Sequence, residues 1–456
     1  MYAGIGRHVI IGSGAAGFNA ALALRRLVPR DIVTIVSDEQ FPYYSRVLTA
    51  NVVSGDVEAE RLFLAQPKTY ADLGIQFLSA CSALGIDTTA RRMALDDGRE
   101  LGYDTLLLAT GATPQRLGVP GEDLPGVFTL RTLSDALAIR RRLLERRFRA
   151  AADSPAPPAR AVVVGGGMVG MKATEAFLKR DLAVELIISS GRVLSQAMED
   201  EGAELVADAL RNEGVTIHFH EDLATIEGDE EGGVRAVTLK NGKRIPCDLI
   251  VLAKGVSPRT ELVQGMRGLR VNRGAVVDRF LETGLPGIYA AGDVAESWDV
   301  VRGTARINAI WPNAVEQGRV AGANMAAVTT GVAGVRQAYR GAMAMNSLQI
   351  GQVPVMAMGF SNPAPDAEDV QCVSWFSRDR SSYRRLVFER GVLVGAALIG
   401  DTQGAGLLHW LIATGRGSYA MARDLLAEHL TPGRVAMALT GRRFPSSLGL
   451  SPRRGR

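Results

Sequence analysis

Two stretches of this chain repeat one pattern: "HVIIGSGAAGFNAALAL" (His8–Leu24) and "AVVVGGGMVGMKATEAF" (Ala161–Phe177). In each, a short apolar run rich in β-branched residues precedes a glycine-rich turn and then helix-forming residues. This order predicts a buried strand, a tight turn and a helix. The glycines share the spacing G-x-G-x-x-G: Gly12, Gly14 and Gly17 in the first stretch, and Gly165, Gly167 and Gly170 in the second. Each stretch is therefore typical of a dinucleotide-binding βα unit.

The three glycines of such a turn serve separate purposes. The first allows a tight turn, the second lets the backbone approach a pyrophosphate, and the third lets the helix pack close to the strand. The helix N-terminus then offers unpaired N–H groups to the phosphates. Two turns predict two dinucleotides, and a flavin with a nicotinamide is the pair expected for hydride transfer between stacked rings. We expect an α/β fold with two Rossmann-like, three-layer domains that bind FAD and NAD(P)H.

The ends of the second strands differ between the two units. The first, "DIVTIVSDE", ends in Asp38, whose carboxylate can accept hydrogen bonds from ribose hydroxyls. The second, "AVELIIS", has no acid at its end and continues with Ser190 and Arg192. A 2′-phosphate would not be repelled there and Arg192 could pair with it, whereas Ser190 could still serve NADH. The sequence leaves the choice between NADH and NADPH open.

Length and composition set the class of protein. A chain of 456 residues exceeds one typical hydrophobic core, so two or three domains are expected. No stretch approaches the roughly 18 uninterrupted apolar residues of a membrane span. The N-terminus enters a strand pattern without the features of a signal peptide, which favours a cytoplasmic location. The cysteines Cys81, Cys247 and Cys372 stand far apart, so no metal site is expected.

Positive charge is concentrated in two segments, Arg140–Arg149 and the C-terminal tail. One interpretation is a solvated helix face followed by a disordered tail; the other is docking to an acidic partner protein. Nucleic acid is not expected as a partner, because aromatic residues are not interleaved with the arginines.

Four further motifs follow in a fixed order: "LLLATGATP" (Leu106–Pro114), "VLAKGVSP", "GIYAAGDVAE" and "WPNAVEQGRVAGANM". Together with the glycine loops, over nearly the whole chain, they resemble the FAD-dependent pyridine nucleotide–disulfide oxidoreductase family. The resemblance implies that Asp293 binds the ribityl chain of FAD and that the helix beginning near Asn313 points at the flavin ring. The implied FAD residues are Gly12, Gly14, Ala15, Ala16, Gly17, Asp38, Arg46, Thr110, Gly111, Gly292, Asp293 and Asn313. The implied NAD(P) residues are Gly165, Gly167, Met168, Val169, Gly170, Ser190, Arg192 and Gly255.

The stretch "FPYYSRVLTANVVSG" contains no cysteine where the disulfide reductases carry a redox pair, so a disulfide relay is excluded. Its "YYSRVL" resembles the branch with NADH:rubredoxin and ferredoxin reductases, the flavin part of NADH nitrite reductases, and flavin subunits of tungsten aldehyde oxidoreductases. That branch places Arg46 at the FAD phosphates; the alternative is an ordinary surface arginine.

Many relatives pair a Lys shortly after this Arg with a Glu two residues after the last glycine of the second loop, beside flavin N5. The corresponding positions here are Asn51 and Lys172. The resemblance therefore makes Lys172 the candidate catalytic cation, supplied by the nicotinamide domain. The alternative is a lysine on a helix surface.

The same resemblance predicts the domain layout. Residues 1–117 and 258–334 form the FAD-binding domain, 118–257 the NAD(P)-binding domain, 335–432 a small α+β C-terminal interface domain, and 433–456 a disordered basic tail. The Asn241-Gly242 pair predicts a β-hairpin inside the second domain. The uncharged stretch 344–362 predicts a buried or interface loop.

The leading function is electron exchange between NAD(P)H and an external partner through FAD, with hydride transfer at flavin N5. The partner expected is an iron–sulfur protein such as rubredoxin or ferredoxin, or a metalloenzyme subunit. One alternative is an NAD(P)H oxidase that uses oxygen; another is a non-catalytic flavin-binding structural or sensory subunit. A homodimer and a place as subunit of a hetero-oligomeric complex are both open.

Overall fold

The computed structural model describes residues 5–150, 159–330, 336–377, 382–427 and 430–440. Its strands are Arg7–Ile11 (β1), Ile32–Val36 (β2), Ile75–Leu78 (β3), Ala83–Asp87 (β4), Arg92–Leu95 (β5), Glu100–Gly102 (β6), Thr105–Leu108 (β7), Ala112–Pro114 (β8), Val127–Phe128 (β9), Arg160–Val164 (β10), Ala183–Ile188 (β11), Thr216–Phe219 (β12), Leu223–Gly228 (β13), Val234–Leu239 (β14), Arg244–Pro246 (β15), Leu249–Leu252 (β16), Val256–Pro258 (β17), Ala275–Val276 (β18), Ile288–Ala290 (β19), Ala295–Asp299 (β20), Thr304–Arg306 (β21), Met345–Ile350 (β22), Val353–Gly359 (β23), Val370–Ser377 (β24), Ser382–Glu389 (β25) and Val392–Ile399 (β26).

The helices are Ala15–Leu27 (α1), Thr49–Ser54 (α2), Pro67–Asp72 (α3), Leu133–Ala150 (α4), Met168–Leu178 (α5), Asp200–Asn212 (α6), Trp311–Thr330 (α7), Ala405–Thr414 (α8), Ala422–Leu425 (α9) and Pro432–Leu439 (α10). None of these described helices combines the length and the apolar character that crossing a lipid bilayer requires.

The contacts among its residues divide the chain into two compact units. One comprises the chain up to Leu48, Glu58–Thr113 and Val256–Ala342; the other comprises Thr49–Val57, Pro114–Gly255 and the chain from Met343 onward. The domain boundaries expected from the sequence stay predictions.

The first unit is built around a five-stranded parallel sheet in the order β19-β7-β1-β2-β3. Strands β1 and β7 are nearly continuous apolar runs, because both faces of this sheet are covered. One face packs against α1 and α7, and the other against the antiparallel sheet β4-β5-β6. The predicted three-layer arrangement is confirmed.

Helices α1 and α7 approach each other closely because glycine faces the contact. A Cβ atom on Gly318 would lie 2.1 Å from the carbonyl oxygen of Ala16, and one on Gly322 would lie 2.4 Å from that of Ala20. Any larger residue at these positions would push the helices apart. The contact holds the N-terminal turn of α1 against α7.

The second unit repeats the plan with the parallel order β12-β11-β10-β16-β9. A sheet β13-β14-β15 closes one face through a shared apolar cluster. The predicted hairpin is confirmed: β14 and β15 are antiparallel, and Gly242 takes φ +86° in the turn between them.

The C-terminal part of this unit is an antiparallel sheet in the order β22-β23-β26-β25-β24, followed by α8. Two of its residues bind the segment before α6: the Tyr383 hydroxyl donates to Glu199 Oε1 at 2.6 Å, and Ser361 Oγ donates to the Ala197 carbonyl at 2.9 Å. The predicted loop over 344–362 is wrong, since this stretch forms the hairpin of β22 and β23. Pro354 lies near the start of β23, where its carbonyl accepts a hydrogen bond from Gly400.

The expectation of disorder from residue 433 is corrected over its first residues, which form α10. Thr431 Oγ1 caps this helix by accepting the N–H of Arg434 at 3.3 Å, a proline occupies its first turn, and Val435 is buried. Residues 441–456 of the predicted tail lie outside the described residues.

Candidate functional site

The carboxyl edge of the parallel sheet in the first unit collects the predicted FAD residues. The glycine loop follows β1, Asp38 follows β2, Thr110 follows β7, and Gly292 follows β19. Because parallel strands end at one edge, these residues become neighbours in space. A Cβ on Gly292 would lie 3.3 Å from the Cβ of Ala16 in the glycine loop. This edge is where dinucleotides bind in open α/β sheets.

The three glycines of the first loop face different surroundings. Gly12 has φ +110°, and a Cβ there would lie 2.2 Å from the Ala109 carbonyl oxygen. A Cβ on Gly17 would lie 1.9 Å from the Gly12 carbonyl oxygen. At Gly14, in contrast, the nearest atom is Arg46 Nε at 4.0 Å. The fold itself requires Gly12 and Gly17, whereas Gly14 leaves space for a group outside the fold.

Arg46 lies beside this open position. Its Nη1 donates to the Tyr44 hydroxyl at 3.0 Å and its Nη2 to Glu39, while the Tyr44 hydroxyl donates to Glu39 Oε2 at 2.6 Å. Burial by itself would lower the pKa of Arg46, but Tyr44 and Glu39 raise it overall, so the guanidinium stays charged. Because the first turn of α1 contains no acidic residue, an anion such as the FAD pyrophosphate fits here.

Sequence reasoning missed Glu39, which orients Arg46, although the acidic run at the end of β2 was a visible signal. It also missed Arg259. Arg259 Nη1 binds Asp38 Oδ2 at 2.7 Å, and its carbonyl oxygen accepts from Thr110 Oγ1 at 2.7 Å. Its N–H donates to the Gly111 carbonyl at 3.0 Å. Arg259 therefore joins three predicted FAD residues, and its position directly after "GVSP" could have marked it.

The Gly292-Asp293 turn is held from behind by Gln317, a residue of α7 that is only 1% exposed. Gln317 Oε1 accepts the Gly292 N–H at 2.6 Å, and Gln317 Nε2 donates to Ser297 Oγ at 2.7 Å. Asp293 itself is half-buried. Gln317 was also missed, because nothing local in the sequence indicates that it reaches the turn.

Asn313 lies at the N-terminal end of α7, as predicted, but its side chain is bonded within the fold. Asn313 Nδ2 donates to the Asn308 carbonyl at 2.8 Å, and Asn313 Oδ1 accepts from the Tyr339 hydroxyl. It stabilises the start of the helix, and a direct contact with FAD stays a prediction.

The second glycine loop has the geometry of the first. A Cβ on Gly165, where φ is +122°, would lie 2.3 Å from the Ala253 carbonyl oxygen, and one on Gly170 would lie 1.9 Å from the Gly165 carbonyl oxygen. At Gly167, no atom of the described residues beyond its two chain neighbours lies within 4 Å of the added Cβ. Helix α5, which begins at Met168 and Val169, has no acid in its first turn. The loop fits a second pyrophosphate.

The remaining predicted NAD(P) residues follow β11 and β16, the two strands that flank β10 in the sheet. After β11, Ser190 Oγ donates to the Arg192 carbonyl at 2.9 Å. Arg192 binds Asp200 Oδ1 at 2.7 Å and the Met198 carbonyl at 3.1 Å. Gly255, with φ +101°, follows β16, and its carbonyl accepts the Gln115 N–H. Arg192 thus already has a carboxylate partner.

Lys172 projects from α5 into a small cleft together with Asn51. Its Nζ lies 3.0 Å from Glu175 Oε2, and Glu175 also binds Lys179 at 3.3 Å. Lys179 in turn binds Asp56 Oδ2 at 2.7 Å, a hydrogen bond that raises the pKa of Lys179. The two positions compared in the sequence, Asn51 and Lys172, do share one cleft.

Two of the three cysteines, Cys81 and Cys247, are unsuited to redox chemistry as thiolates. Burial raises the pKa of Cys247 to about 12 and also raises that of Cys81. Cys372 lies in β24, away from both glycine loops in sequence. No disulfide links any of the three.

A sequence profile of the pyridine nucleotide-disulphide oxidoreductases matches residues 6–318. The chain belongs to this family. A second profile, the rubredoxin NAD+ reductase C-terminal domain, matches residues 345–416. Membership confirms the predicted family, its fold, and the predicted class: a flavoprotein oxidoreductase that uses FAD and NAD(P)H.

Individual relatives agree with the family. The chain is 29% identical to the epsilon subunit of an NADH-dependent phenylglyoxylate dehydrogenase from Aromatoleum evansii, over 96% of this chain and 98% of that protein. It is 27% identical to a nitrite reductase [NAD(P)H] of Bacillus subtilis over 89% of this chain, but spans only 47% of that protein. A solved covalent complex of putidaredoxin reductase with putidaredoxin is 25% identical, with a TM-score of 0.81 over 96% of this chain and 98% of that one.

Proposed function

We propose that this oxidoreductase carries electrons between NAD(P)H and an external protein partner through FAD. The observation that carries the proposal is the pair of open positions at Gly14 and Gly167, each the middle glycine of a loop whose other two glycines the fold requires. Two glycine loops with the same geometry support two dinucleotides on one chain.

On the FAD side, each residue has a distinct task. The N–H groups at the start of α1 and the Arg46 guanidinium bind the phosphates, while Asp38 accepts the ribose hydroxyls. Arg259 orients Asp38 through their 2.7 Å ion pair. Asp293 binds the ribityl chain, and Gln317 keeps the backbone of that turn in place.

On the nicotinamide side, the start of α5 binds the pyrophosphate of NAD(P)H, and Lys172 supplies a positive charge for the hydride step. The FAD that these residues would hold would supply the redox chemistry, taking up a hydride at N5 and releasing its two electrons one at a time. The Glu175 carboxylate, 3.0 Å from Lys172 Nζ, orients that lysine. A Lys172→Met variant should reduce the rate of flavin reduction without lowering FAD content. An unchanged rate would show that Lys172 is a helix-surface residue with no part in the hydride step.

The buried thiols Cys81 and Cys247 have raised pKa values, which disfavours a thiolate relay, and we propose that the electrons leave to another protein. Two comparisons support a protein acceptor: the rubredoxin reductase C-terminal profile and the reductase solved in complex with putidaredoxin. We therefore propose an iron–sulfur protein or a metalloenzyme subunit as partner. We also propose that the protein acts in the cytoplasm and that it is a subunit of a complex.

The test is an anaerobic titration of the purified, FAD-loaded protein with NADH and with NADPH, followed by the visible absorbance of the flavin. Stoichiometric bleaching by at least one nucleotide is expected. Ferricyanide, a one-electron acceptor, should then restore the absorbance. If neither nucleotide bleaches the flavin, the protein is a structural or sensory subunit and the proposal fails. Rapid reoxidation by oxygen alone, at the rate seen with ferricyanide, would instead favour an oxidase.

A further inference from the structure

Strand β11 is followed by Ser189 and Ser190, without the carboxylate that is expected at this strand end for the adenosine ribose of the nicotinamide nucleotide. The structure brings other groups to that strand end. Lys254, which follows β16, extends its Nζ to within 3.0 Å of Ser189 Oγ and 2.5 Å of Asp222 Oδ1. Asp222 lies just beyond the end of β12, the neighbour of β11 in the sheet. One acid and one cation therefore meet at the end of β11: the acid follows the adjacent strand β12, and the cation follows β16, which lies two strands away on the other side.

We propose that Asp222, held by Lys254 and Ser189, replaces the missing strand-end acid and makes this site select NADH over NADPH. The proposal rests on the proposed function, since it concerns the same nucleotide site. Asp222 is about one-third exposed, with 32% of its side-chain surface accessible, so a ligand can reach its carboxylate. A ribose diol can donate to a carboxylate, whereas a 2′-phosphate brings a second negative charge to it.

Two cations near this edge, Lys254 and Arg192, are already matched by carboxylates. Lys254 binds Asp222, and Arg192 binds Asp200 at 2.7 Å. Lys240 also lies 4.0 Å from Asp222, at the outer limit of an ion pair. A 2′-phosphate would have to take Lys254 or Arg192 from its partner and leave that carboxylate uncompensated. A neutral ribose avoids this cost.

The neighbouring acid, Glu221, offers a matched control. Glu221 directly precedes Asp222 in the chain. Its carboxylate accepts a hydrogen bond from Asn241 Nδ2, whereas the Asp222 carboxylate binds Lys254. Glu221→Gln removes the same charge as Asp222→Asn from the same loop. A nonspecific change in local charge would affect both variants alike.

The experiment measures dissociation constants by calorimetry on the FAD-loaded protein, with ADP-ribose and 2′-phospho-ADP-ribose as probes. We expect the wild type to bind ADP-ribose at least about tenfold more tightly than its 2′-phosphorylated form. Asp222→Asn should narrow this ratio, Lys254→Gln should widen it because Asp222 loses its counter-charge, and Glu221→Gln should leave it near the wild-type value. FAD content and melting temperature show that each variant folds.

Equal or tighter binding of the 2′-phosphorylated probe by the wild type would overturn the inference without any variant. An unchanged ratio in Asp222→Asn would do the same. Neither readout depends on flavin reduction. If the protein selects ADP-ribose but NADH does not bleach its flavin, this inference stands and the proposed function fails. If NADH bleaches the flavin but the protein does not select ADP-ribose, the proposed function stands and this inference fails.

Discussion

Replacing Gly167 by alanine separates what the second glycine loop does for folding from what it does for binding. Gly167 has φ −83° and ψ −174°, which alanine adopts without strain. In the part of the chain that the structure describes, only its two chain neighbours come within 4 Å of the added methyl group. The loss of glycine at this helix N-cap costs about 1 kcal/mol or less. We therefore expect a folded protein with its full complement of FAD.

The added methyl group would occupy the space left for the pyrophosphate of the nicotinamide nucleotide. Overpacking of this kind costs about 1–3 kcal/mol. At about 1.4 kcal/mol per factor of ten, NADH should bind roughly 5- to 150-fold more weakly. The assay is the dependence of the anaerobic flavin-reduction rate on NADH concentration, which gives a dissociation constant for NADH.

Two further substitutions serve as controls for Gly167→Ala. Gly406→Ala adds a methyl group to a position in α8 that is equally open, and should leave NADH binding unchanged. Gly170→Ala places a Cβ 1.9 Å from the Gly165 carbonyl oxygen and should lower the melting temperature. If Gly167→Ala binds NADH as tightly as the wild type, the pyrophosphate does not lie at this loop and our reasoning is refuted.

Three other predictions concern the first unit. Gly14→Ala should weaken FAD binding to the apoprotein by a similar factor, roughly 5- to 150-fold, without lowering the melting temperature of the apoprotein; unchanged reconstitution would contradict it. Gln317→Leu leaves the buried Gly292 N–H unpaired, which should lower the free energy of unfolding in urea by about 1–3 kcal/mol, and a wild-type value would show that the turn does not need this bond. Burial lowers the pKa of His8, which contacts Asp31 at 2.9 Å. The unfolded chain therefore takes up a proton at His8 more readily than the folded chain, and stability falls as the pH drops below about 6.5. His8→Gln should lose this part of the pH dependence in urea unfolding at pH 5 and 7.5, whereas His409→Gln should keep it.

The glycine loops show which features of the structure can be predicted from residues that are close together in the sequence. Gly12 and Gly165 need a positive φ, and Gly17 and Gly170 need to pack against a carbonyl oxygen only five positions earlier in the chain. Such requirements are met within one βα unit, so the spacing of residues reports them directly. Both the three-layer fold and the two binding edges could be predicted for this reason.

The C-terminal region shows where pattern reasoning was weaker. The stretch 344–362 lacks the alternation that marks a half-buried strand, because much of the sheet that contains β23 is covered on both faces. The uncharged segment was therefore interpreted as a loop. In α10, a threonine cap, a proline in the first turn and a buried valine favour a helix in a segment whose composition favours disorder.

The sequence by itself determined that this chain has two dinucleotide loops, a Gly-Asp turn and no cysteine pair beside the flavin loop. Only the tertiary structure decided which charged groups complete each site. Asp38 and Arg259 are 221 positions apart, and Asp222 and Lys254 are 32 positions apart on different strand connections. Each pair forms because parallel strands from distant parts of the chain end at one edge of a sheet. The order of the strands in the sheet brings the two members of each pair together. The number of residues between them in the sequence does not reveal this.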